Sequence, residues 1–251
     1  MSAILTVSDV NAYYRSERLV RGKRQRVQVL HNVSFSMQEG EILGLVGESG
    51  CGKSTLAKTI LSMIRDYDGE IRCMDEHPQM IFQDPYGSLN PAKKIGWILE
   101  EPLRNLSDCT ADERYAQAVA MLEKVGLEEK YMEHYPNQLS GGQRQRVCIA
   151  AALMLHPGLL IADEPVSALD VTIQKQVLEL LLKLKKEMGL SILFISHDLR
   201  VVYQLCDRVM IMQKGSVVEQ GGTEAVYFNP QNDYTKSLLV SAGIYQESDE
   251  N

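Results

Sequence analysis

The stretch that decides the fold of this chain is Gly47-Glu48-Ser49-Gly50-Cys51-Gly52-Lys53-Ser54. It matches the phosphate-binding pattern G-x-x-x-x-G-K-[ST] at every fixed position. The run from Glu41 to Val46 before it is typical of a short buried strand, and Leu56 to Ile64 after it is typical of a helix. Glycines let the backbone curl until its N–H groups converge on an anion, and a helix N-terminus adds partial positive charge. The stretch therefore predicts a phosphate-binding loop, with a glycine-rich turn that binds nothing as the alternative.

A phosphate loop alone indicates a nucleotide without indicating its use, because kinases, GTPases, motors and transporters all carry one. A second motif, LSGGQ at 139–143, precedes a helical stretch from Arg144 to Leu155 and the run LLIADEP at 159–165. With these motifs in this order, the sequence resembles the ATP-binding cassette (ABC) family, of which LSGGQ is the signature. Four further landmarks of that family follow the expected order: Tyr14, Gln83, the run SALD at 167–170, and His197.

The resemblance runs from about Leu5 to the C-terminal region and implies an α/β fold. This fold has a P-loop NTPase (RecA-like) core, an antiparallel β subdomain and an inserted helical subdomain. We expect one ABC ATPase domain over residues 1–251, with the core at about 1–86 and 157–251. The helical subdomain, which carries the signature, is expected at about 87–156.

Sequence patterns predict the individual elements of this fold. Strands are expected at 27–30, 33–37 and 190–195, and a hairpin at 209–219 around Gly215. Apolar residues at three- and four-residue spacing predict helices from Ala111 to Val125 and from Val171 to Met188, and Gly126 ends the first of these.

Composition limits the function classes. The chain has 251 residues, of which 45% are apolar and 24% charged, as in ordinary globular proteins. No apolar run approaches the roughly 18 residues of a membrane span, and the N-terminus lacks a signal-peptide pattern, so we expect that the chain does not cross a membrane. The net charge of −7 argues against nucleic acid as a partner, and five cysteines without C-x-x-C spacing predict reduced thiols.

A basic run follows Tyr14 and contains Arg15, Arg18, Arg21, Lys23, Arg24 and Arg26. We interpret it as a solvated surface loop between two strands. Contact with membrane headgroups or nucleic acid is the alternative.

The resemblance implies that ATP and Mg²⁺ bind this chain. Lys53 and the loop amides would hold the phosphates, and Tyr14 would stack on adenine. Mg²⁺ would be held by Ser54, Gln83 and Asp163. Glu164 would be the general base that polarises the attacking water, and His197 would contact the γ-phosphate. The loop contacts expected for the nucleotide are Gly47, Ser49, Gly50, Cys51, Gly52, Lys53, Ser54 and Thr55. Without the other motifs, ordinary strand-end solvation would explain Asp163 and Glu164.

The signature implies a dimer, since in this family it meets the γ-phosphate held by the opposite subunit. Gly141 and Gly142 would offer bare amides at a helix N-terminus, and Ser140 and Gln143 complete the contact. The implied partners are a second ABC ATPase subunit, usually a paralogue, arranged head to tail, two membrane permeases and, indirectly, a solute-binding protein. No nucleic acid is expected, and the chain would lie peripherally at the cytoplasmic face of the cell membrane.

Two further runs resemble the dipeptide, oligopeptide and nickel importers of this family. They are FQDPYGSLNP at 82–91 and NPQNDYTKSLL at 229–239, and EPVSALDV at 164–171 agrees with them. One feature departs from this branch, because Gln83 follows Lys53 after only 30 positions. An ABC exporter or a non-transport ABC ATPase is the alternative, and the sequence does not name the solute.

Cys51 carries a separate hypothesis. It lies inside the phosphate loop beside Lys53, where a helix N-terminus and a cation lower the pKa of a thiol. We therefore predict that Cys51 is the most reactive of the five thiols. A small side chain that is turned away from solvent is the alternative.

Overall fold

The computed structural model describes residues 2–20 and 23–244, and side chains are described outside 16–25. Ten strands lie within the described residues. In chain order they are β1 (Ala3–Val20), β2 (Lys23–Gln28), β3 (Val33–Gln38), β4 (Ile42–Val46), β5 (Tyr67–Cys73), β6 (Gln79–Ile81), β7 (Leu159–Asp163), β8 (Ser191–Ile195), β9 (Arg208–Gln213) and β10 (Ser216–Gly222).

The same residues contain nine α-helices. They are α1 (Lys53–Ile60), α2 (Pro85–Ser88), α3 (Ile95–Leu106), α4 (Ala111–Lys124), α5 (Gly141–Leu153), α6 (Val171–Met188), α7 (Leu199–Leu205), α8 (Thr223–Phe228) and α9 (Asp233–Ser241). Two short 3₁₀ helices cover Glu129–Glu133 and Pro136–Gln138. None of the helices described here has both the length and the apolar character that crossing a bilayer requires.

The chain divides into two compact units, which are described separately. The first unit comprises Met1–Glu76 and Ser191–Asn251, and the second comprises His77–Leu190. From the sequence we expect a different division, into a core at about 1–86 and 157–251 and a helical subdomain at about 87–156. That division stays a prediction.

The first unit contains an antiparallel sheet in which the long strand β1 pairs with β2, β3 and β5. Its core-facing side chains alternate with exposed ones, as in β3, where Val33, Phe35 and Met37 are buried. This alternation is the pattern of a sheet with one buried face. The expected antiparallel β region is therefore present.

A second sheet in the first unit positions the phosphate loop. Its strand order is β10-β9-β4-β8, with β4 parallel to both β8 and β9. All five residues of β4 and of β8 are buried, as expected for parallel strands covered on both faces. Because β4 and β8 are parallel neighbours, the chain segments that follow them leave the sheet at the same edge.

The second unit combines two parallel strands with most of the helices. β6 pairs with β7, with Ile81 opposite Ala162. Helices α2 to α6 belong to this unit, and α4 begins at a capping box in which Thr110 and Glu113 exchange hydrogen bonds. The predicted fold class, an α/β cassette with an antiparallel sheet and a helical part, is confirmed.

Most predicted elements agree with the structure, but two boundaries differ. The helix expected from Leu56 to Ile64 begins at Lys53 and ends at Ile60, because Gly52 and Ser62 on either side have positive φ angles of 112° and 57°. The loop expected at 15–26 is wrong as a loop: β1 continues to Val20 and β2 starts at Lys23, with Arg15 opposite Arg26.

The charges at the base of this hairpin are balanced locally. Arg26 donates to the Asp66 carboxylate at 2.7 Å and stacks over the Tyr13 ring at 3.4 Å. Arg15 lies 3.9 Å from the same carboxylate. Arg21 and the side chains of Arg18, Lys23 and Arg24 lie outside what the structure describes, so the alternatives for the outer part of the basic run stay untested.

The turn between β9 and β10 is hydrogen-bonded to the phosphate loop. Lys214 and Gly215 both have positive φ, 47° and 84°, as a two-residue hairpin turn requires. The Gly215 N–H donates to the Cys51 carbonyl at 2.8 Å, and the His31 N–H donates to the Gly215 carbonyl at 2.9 Å. A Cβ on Gly215 would lie 2.1 Å from the Val29 carbonyl oxygen, so only glycine fits there.

This turn gives a stability prediction with an internal control. Gly40 also has positive φ, 73°, but a Cβ there would meet no atom within 4 Å. Gly40→Ala should lower the free energy of unfolding by about 1 kcal/mol, the ordinary cost of left-handed backbone. Gly215→Ala should lower it by at least about 3 kcal/mol, because steric overlap with the Val29 carbonyl adds to that cost. Urea denaturation measures both values, and equal losses would contradict the close approach.

Candidate nucleotide-binding site

The phosphate loop owes its shape to glycines at three points. β4 brings the chain to Gly47, where a Cβ would lie 2.2 Å from the Met212 carbonyl oxygen. Gly50 and Gly52 have φ angles of 80° and 112°, which residues with a side chain rarely adopt. The loop therefore turns tightly at Gly50 and Gly52, as phosphate-binding loops do.

Lys53 is the first residue of α1, and its side chain curls back over the loop. Its Nζ donates to the carbonyl oxygens of Gly47 at 2.7 Å and Glu48 at 3.0 Å, and the residue is only 7% exposed. Ser54 and Thr55 follow in the first helical turn and are half-buried. The first turn of α1 contains no acidic residue, so its N–H groups and the ammonium together favour an anion.

The lowered thiol pKa on which the reactive-thiol hypothesis for Cys51 rests is wrong. The side chain is 8% exposed, and its sulfur packs beneath Gly47, where an added Cβ would lie 2.7 Å away. Burial raises the pKa of the Cys51 thiol, and the nearby charge of Lys53 only partly opposes this shift. The Cys51 side chain is thus buried against the loop backbone. This agrees with the alternative to the reactive thiol, a small side chain that is turned away from solvent.

The remaining predicted residues of the first unit lie on strands or strand ends. Tyr14 is 43% exposed and lines an open cavity of about 490 Å³ with Tyr13, Arg15 and residues 63–66. His197 is exposed and follows β8, the parallel neighbour of β4. The Ser196 N–H donates to the Leu45 carbonyl, so His197 lies at the sheet edge from which the phosphate loop also leaves.

In the second unit the structure brings Gln83 and Glu164 together. Gln83 follows β6 and Glu164 follows β7, and the Gln83 Nε2 donates to the Glu164 carboxylate at 2.8 Å. Asp163, the last residue of β7, is buried. The sequence predicts a metal ligand at Gln83 and a base at Glu164, but it does not predict that the two are hydrogen-bonded.

Glu164 has an unusual backbone. Its φ of 48° places a residue with a long side chain in the left-handed region, which is uncommon for residues other than glycine. Ser167 holds this turn, since both its N–H and its Oγ donate to the Glu164 carbonyl, at 3.3 and 3.1 Å. The strain therefore fixes the direction in which the carboxylate leaves the strand.

The signature residues form the start of α5. Ser140 and Gln143 exchange hydrogen bonds in a capping box, and the Gln143 Nε2 also donates to the Tyr131 hydroxyl at 2.9 Å. A Cβ on Gly142 would lie 2.8 Å from the Ile173 side chain of α6. The capping box therefore uses Ser140 and Gln143 to define the helix start, and the two glycines present backbone there.

Sequence reasoning missed Arg144, although it directly follows the signature. Arg144 is 4% exposed and donates to the Pro136 carbonyl at 2.8 and 3.0 Å and to the Leu139 carbonyl at 3.2 Å. Its guanidinium stacks on the Tyr86 ring at 3.6 Å. The run FQDPYGSLNP, which contains Tyr86, is thereby joined to the signature helix.

The donor atoms present suit ATP with Mg²⁺. In the first unit, the glycine-lined loop and the Lys53 ammonium suit phosphate, and the Ser54 hydroxyl is a hard oxygen of the kind that Mg²⁺ prefers. In the second unit, the Asp163 carboxylate supplies oxygens of the same kind. Among the residues described by the structure, no group of three or more His, Cys, Asp or Glu side chains could hold a metal ion by itself. Mg²⁺ typically takes one or two protein ligands and completes its shell with phosphate oxygens and water, so a protein-only cage is not required.

Comparison with known proteins gives close relatives. Residues 30–167 match the family model described as ABC transporter. The dipeptide transport ATP-binding protein DppF of Haemophilus influenzae is 46% identical, over 94% of this chain and 77% of that protein. The oligopeptide transport ATP-binding protein AppF of Bacillus subtilis is 42% identical, over 96% and 78%.

Two solved structures are similar over most of the chain. The ATP-binding cassette MJ0796, in a dimeric post-hydrolysis state bound to ADP and Pi, has a TM-score of 0.74 at 29% identity, covering 87% of this chain and 98% of that one. The cbiO1 protein of Clostridium perfringens, part of the transporter complex cbiONQ, has a TM-score of 0.77 at 27% identity, covering 90% and 91%.

The burial of the cysteines predicts an order of thiol reactivity. Burial raises the pKa of Cys148 to about 12 and raises that of Cys206 further, so both thiols stay protonated and unreactive near neutral pH. With maleimide at pH 7.5, the half-buried Cys73 and Cys109 should be labelled before the buried Cys51, Cys148 and Cys206. Mass spectrometry of partially labelled protein gives the order, and labelling of Cys51 first would contradict this description of the loop.

Proposed function

The chain belongs to the ABC transporter family, and we propose that it is the ATP-hydrolysing subunit of an importer that takes up peptides. The cargo class is supported by the names of relatives at 42–46% identity, which are dipeptide and oligopeptide transport ATP-binding proteins. A glutathione import ATP-binding protein is 42% identical over 98% of this chain. Nickel, the other cargo expected from the sequence, stays an untested prediction.

In this proposal the phosphate loop binds the β- and γ-phosphates of ATP. The ammonium of Lys53 now interacts with the Gly47 and Glu48 carbonyls, and on binding it would turn to the phosphate oxygens, whose negative charge attracts it more strongly. Tyr14 would stack on adenine with its exposed ring. Ser54, Gln83 and Asp163 would hold Mg²⁺, which neutralises phosphate charge in the transition state.

Hydrolysis requires a base that takes a proton from the attacking water. We assign this role to Glu164 and the γ-phosphate contact to His197. A carboxylate accepts several hydrogen bonds, so the bond from Gln83 orients Glu164 without using all its capacity. Breaking or shifting that bond would change the orientation of the Glu164 carboxylate. The rate of hydrolysis would then depend on the position of the chain segment that carries Gln83.

The signature acts in a dimer in this proposal. Ser140, Gly141, Gly142 and Gln143 would meet the nucleotide bound by a second ATPase subunit arranged head to tail. A dimeric cassette among the similar structures supports this arrangement. The complex would further contain two membrane permeases and be served by a solute-binding protein, and the chain would lie peripherally at the cytoplasmic face of the membrane.

The general-base assignment predicts the behaviour of a matched pair of variants. Glu164→Gln should retain MgATP binding while the hydrolysis rate in the assembled transporter falls by roughly 10²–10⁴-fold, because the amide keeps the shape and loses the base. Glu179→Gln removes an exposed carboxylate on α6 and should leave both properties unchanged. Steady-state ATPase assays and calorimetric titration separate the two effects, and near-normal turnover of Glu164→Gln would refute the assignment.

The cargo is tested with the reconstituted transporter. Proteoliposomes that contain this chain, its permeases and its binding protein should take up labelled di- or oligopeptides when MgATP is supplied on the cytoplasmic side. Glu164→Gln should abolish this uptake. Accumulation of Ni²⁺ without peptide uptake would replace the cargo assignment, and ATP-dependent movement in the opposite direction would support the exporter alternative.

A further inference from the structure

The run at 229–239 has no part in the chemistry described so far, yet the structure holds it firmly in the first unit. Both carboxylate oxygens of Glu219, on β10, accept backbone N–H groups of this run, from Gln231 at 2.8 Å and Asn232 at 3.2 Å. The Asn232 side chain then caps α9 by accepting the Tyr234 N–H at 2.9 Å. Thr235 and Leu239 are completely buried. The start of α9 is therefore fixed in position.

This placement brings Tyr234 to the phosphate loop. The N–H of Glu48, the second residue of the loop, donates to the Tyr234 hydroxyl at 3.2 Å. The two residues are 186 positions apart in the chain. Tyr234 is half-buried, and this burial raises the pKa of its hydroxyl, so the phenol stays neutral beside a site that binds phosphate.

The hydrogen bond from Glu48 to Tyr234 differs from the hydrogen bonds that Lys53 makes with the loop. Lys53 donates to the Gly47 and Glu48 carbonyls, but it must leave them in order to reach a phosphate. The bond to Tyr234 uses the opposite polar group of Glu48, its N–H, and therefore persists when Lys53 moves. Together with the Gly215 N–H on the Cys51 carbonyl, it holds both ends of the loop turn while the ligand binds.

We propose that Tyr234 is a positioning residue for nucleotide binding, whose hydroxyl fixes the Glu48 amide and keeps the phosphate loop in its phosphate-binding shape. The inference rests on the proposed function, since it requires that the chain binds ATP. It assigns a physical role to the NPQNDYT run: Asn232 and Glu219 set the start of α9, and Tyr234 extends from there to the loop.

The test is Tyr234→Phe, which removes one oxygen atom and leaves the ring. MgATP affinity, measured by calorimetric titration of the full chain, should fall about three- to tenfold, as expected for loss of one hydrogen bond that supports a binding site. In the assembled transporter the KM for ATP should rise by the same factor with unchanged kcat, because the bond serves ground state and transition state equally.

Tyr227→Phe is the matched control. The Tyr227 hydroxyl is also hydrogen-bonded to the backbone, but it donates to the carbonyl of Leu199 at 2.7 Å, which belongs to α7 and not to the loop, whereas the Tyr234 hydroxyl accepts an N–H. Because Tyr227 is fully buried, its loss of a hydroxyl should lower the melting temperature at least as much as Tyr234→Phe does. Its MgATP affinity should match that of the wild type.

The outcomes separate this inference from the proposed function. If the wild type binds and hydrolyses MgATP and Tyr234→Phe binds it equally well, the positioning role is refuted while the ATPase assignment stands. Equal losses of affinity in both variants would also refute it, since general destabilisation would then explain the effect. If the wild type fails to bind MgATP, the proposed function itself fails.

Discussion

A close approach between two stretches of backbone governs this molecule. The hairpin of β9 and β10 lies so near the phosphate loop that a Cβ on Gly47 would stand 2.2 Å from the Met212 carbonyl oxygen. At the tip of the same hairpin, Gly215 donates to the Cys51 carbonyl. Backbone can come this near only where side chains are absent, so the glycines of the loop and of the hairpin turn depend on one another. The shape of the anion site follows from this packing as much as from the loop sequence.

The loop is also held by an electrostatic arrangement that a ligand can replace. Two carbonyl oxygens surround the buried Lys53 ammonium, and they compensate part of the hydration that burial removes. A phosphate offers the same ammonium a stronger, charged partner. In the second unit a comparable constraint acts on Glu164, whose left-handed backbone is held by Ser167 while Gln83 holds its carboxylate. In each unit, hydrogen bonds therefore hold a charged side chain, Lys53 or Glu164, in a defined direction.

The two runs that mark the importer branch share a structural property. Each contacts a motif of its own unit through a tyrosine. Tyr86 of FQDPYGSLNP stacks on Arg144, which directly follows the signature, and Tyr234 of NPQNDYTKSLL accepts the amide of Glu48 in the phosphate loop. Aromatic side chains suit such contacts, because they combine a large apolar surface with either a ring face for a cation or a polar hydroxyl. Each of the two runs that mark the importer branch therefore contacts a residue in, or next to, one of the two motifs that the whole family shares.

The sequence by itself determined what depends on local interactions. The glycine spacing of the loop, the apolar spacing of α4 with Gly126 after it, and the apolar period of α6 each predict their element within a few residues, since the determining contacts lie within one or two turns. Only the tertiary structure decided the rest. The contact of Gln83 with Glu164 joins residues 81 positions apart, and packing beneath Gly47 buries Cys51 and raises its pKa although the local sequence predicts the reverse. The described backbone of the basic run after Tyr14 lies in paired strands for the same reason: pairing partners and burial come from other chain segments, and local propensity does not encode them.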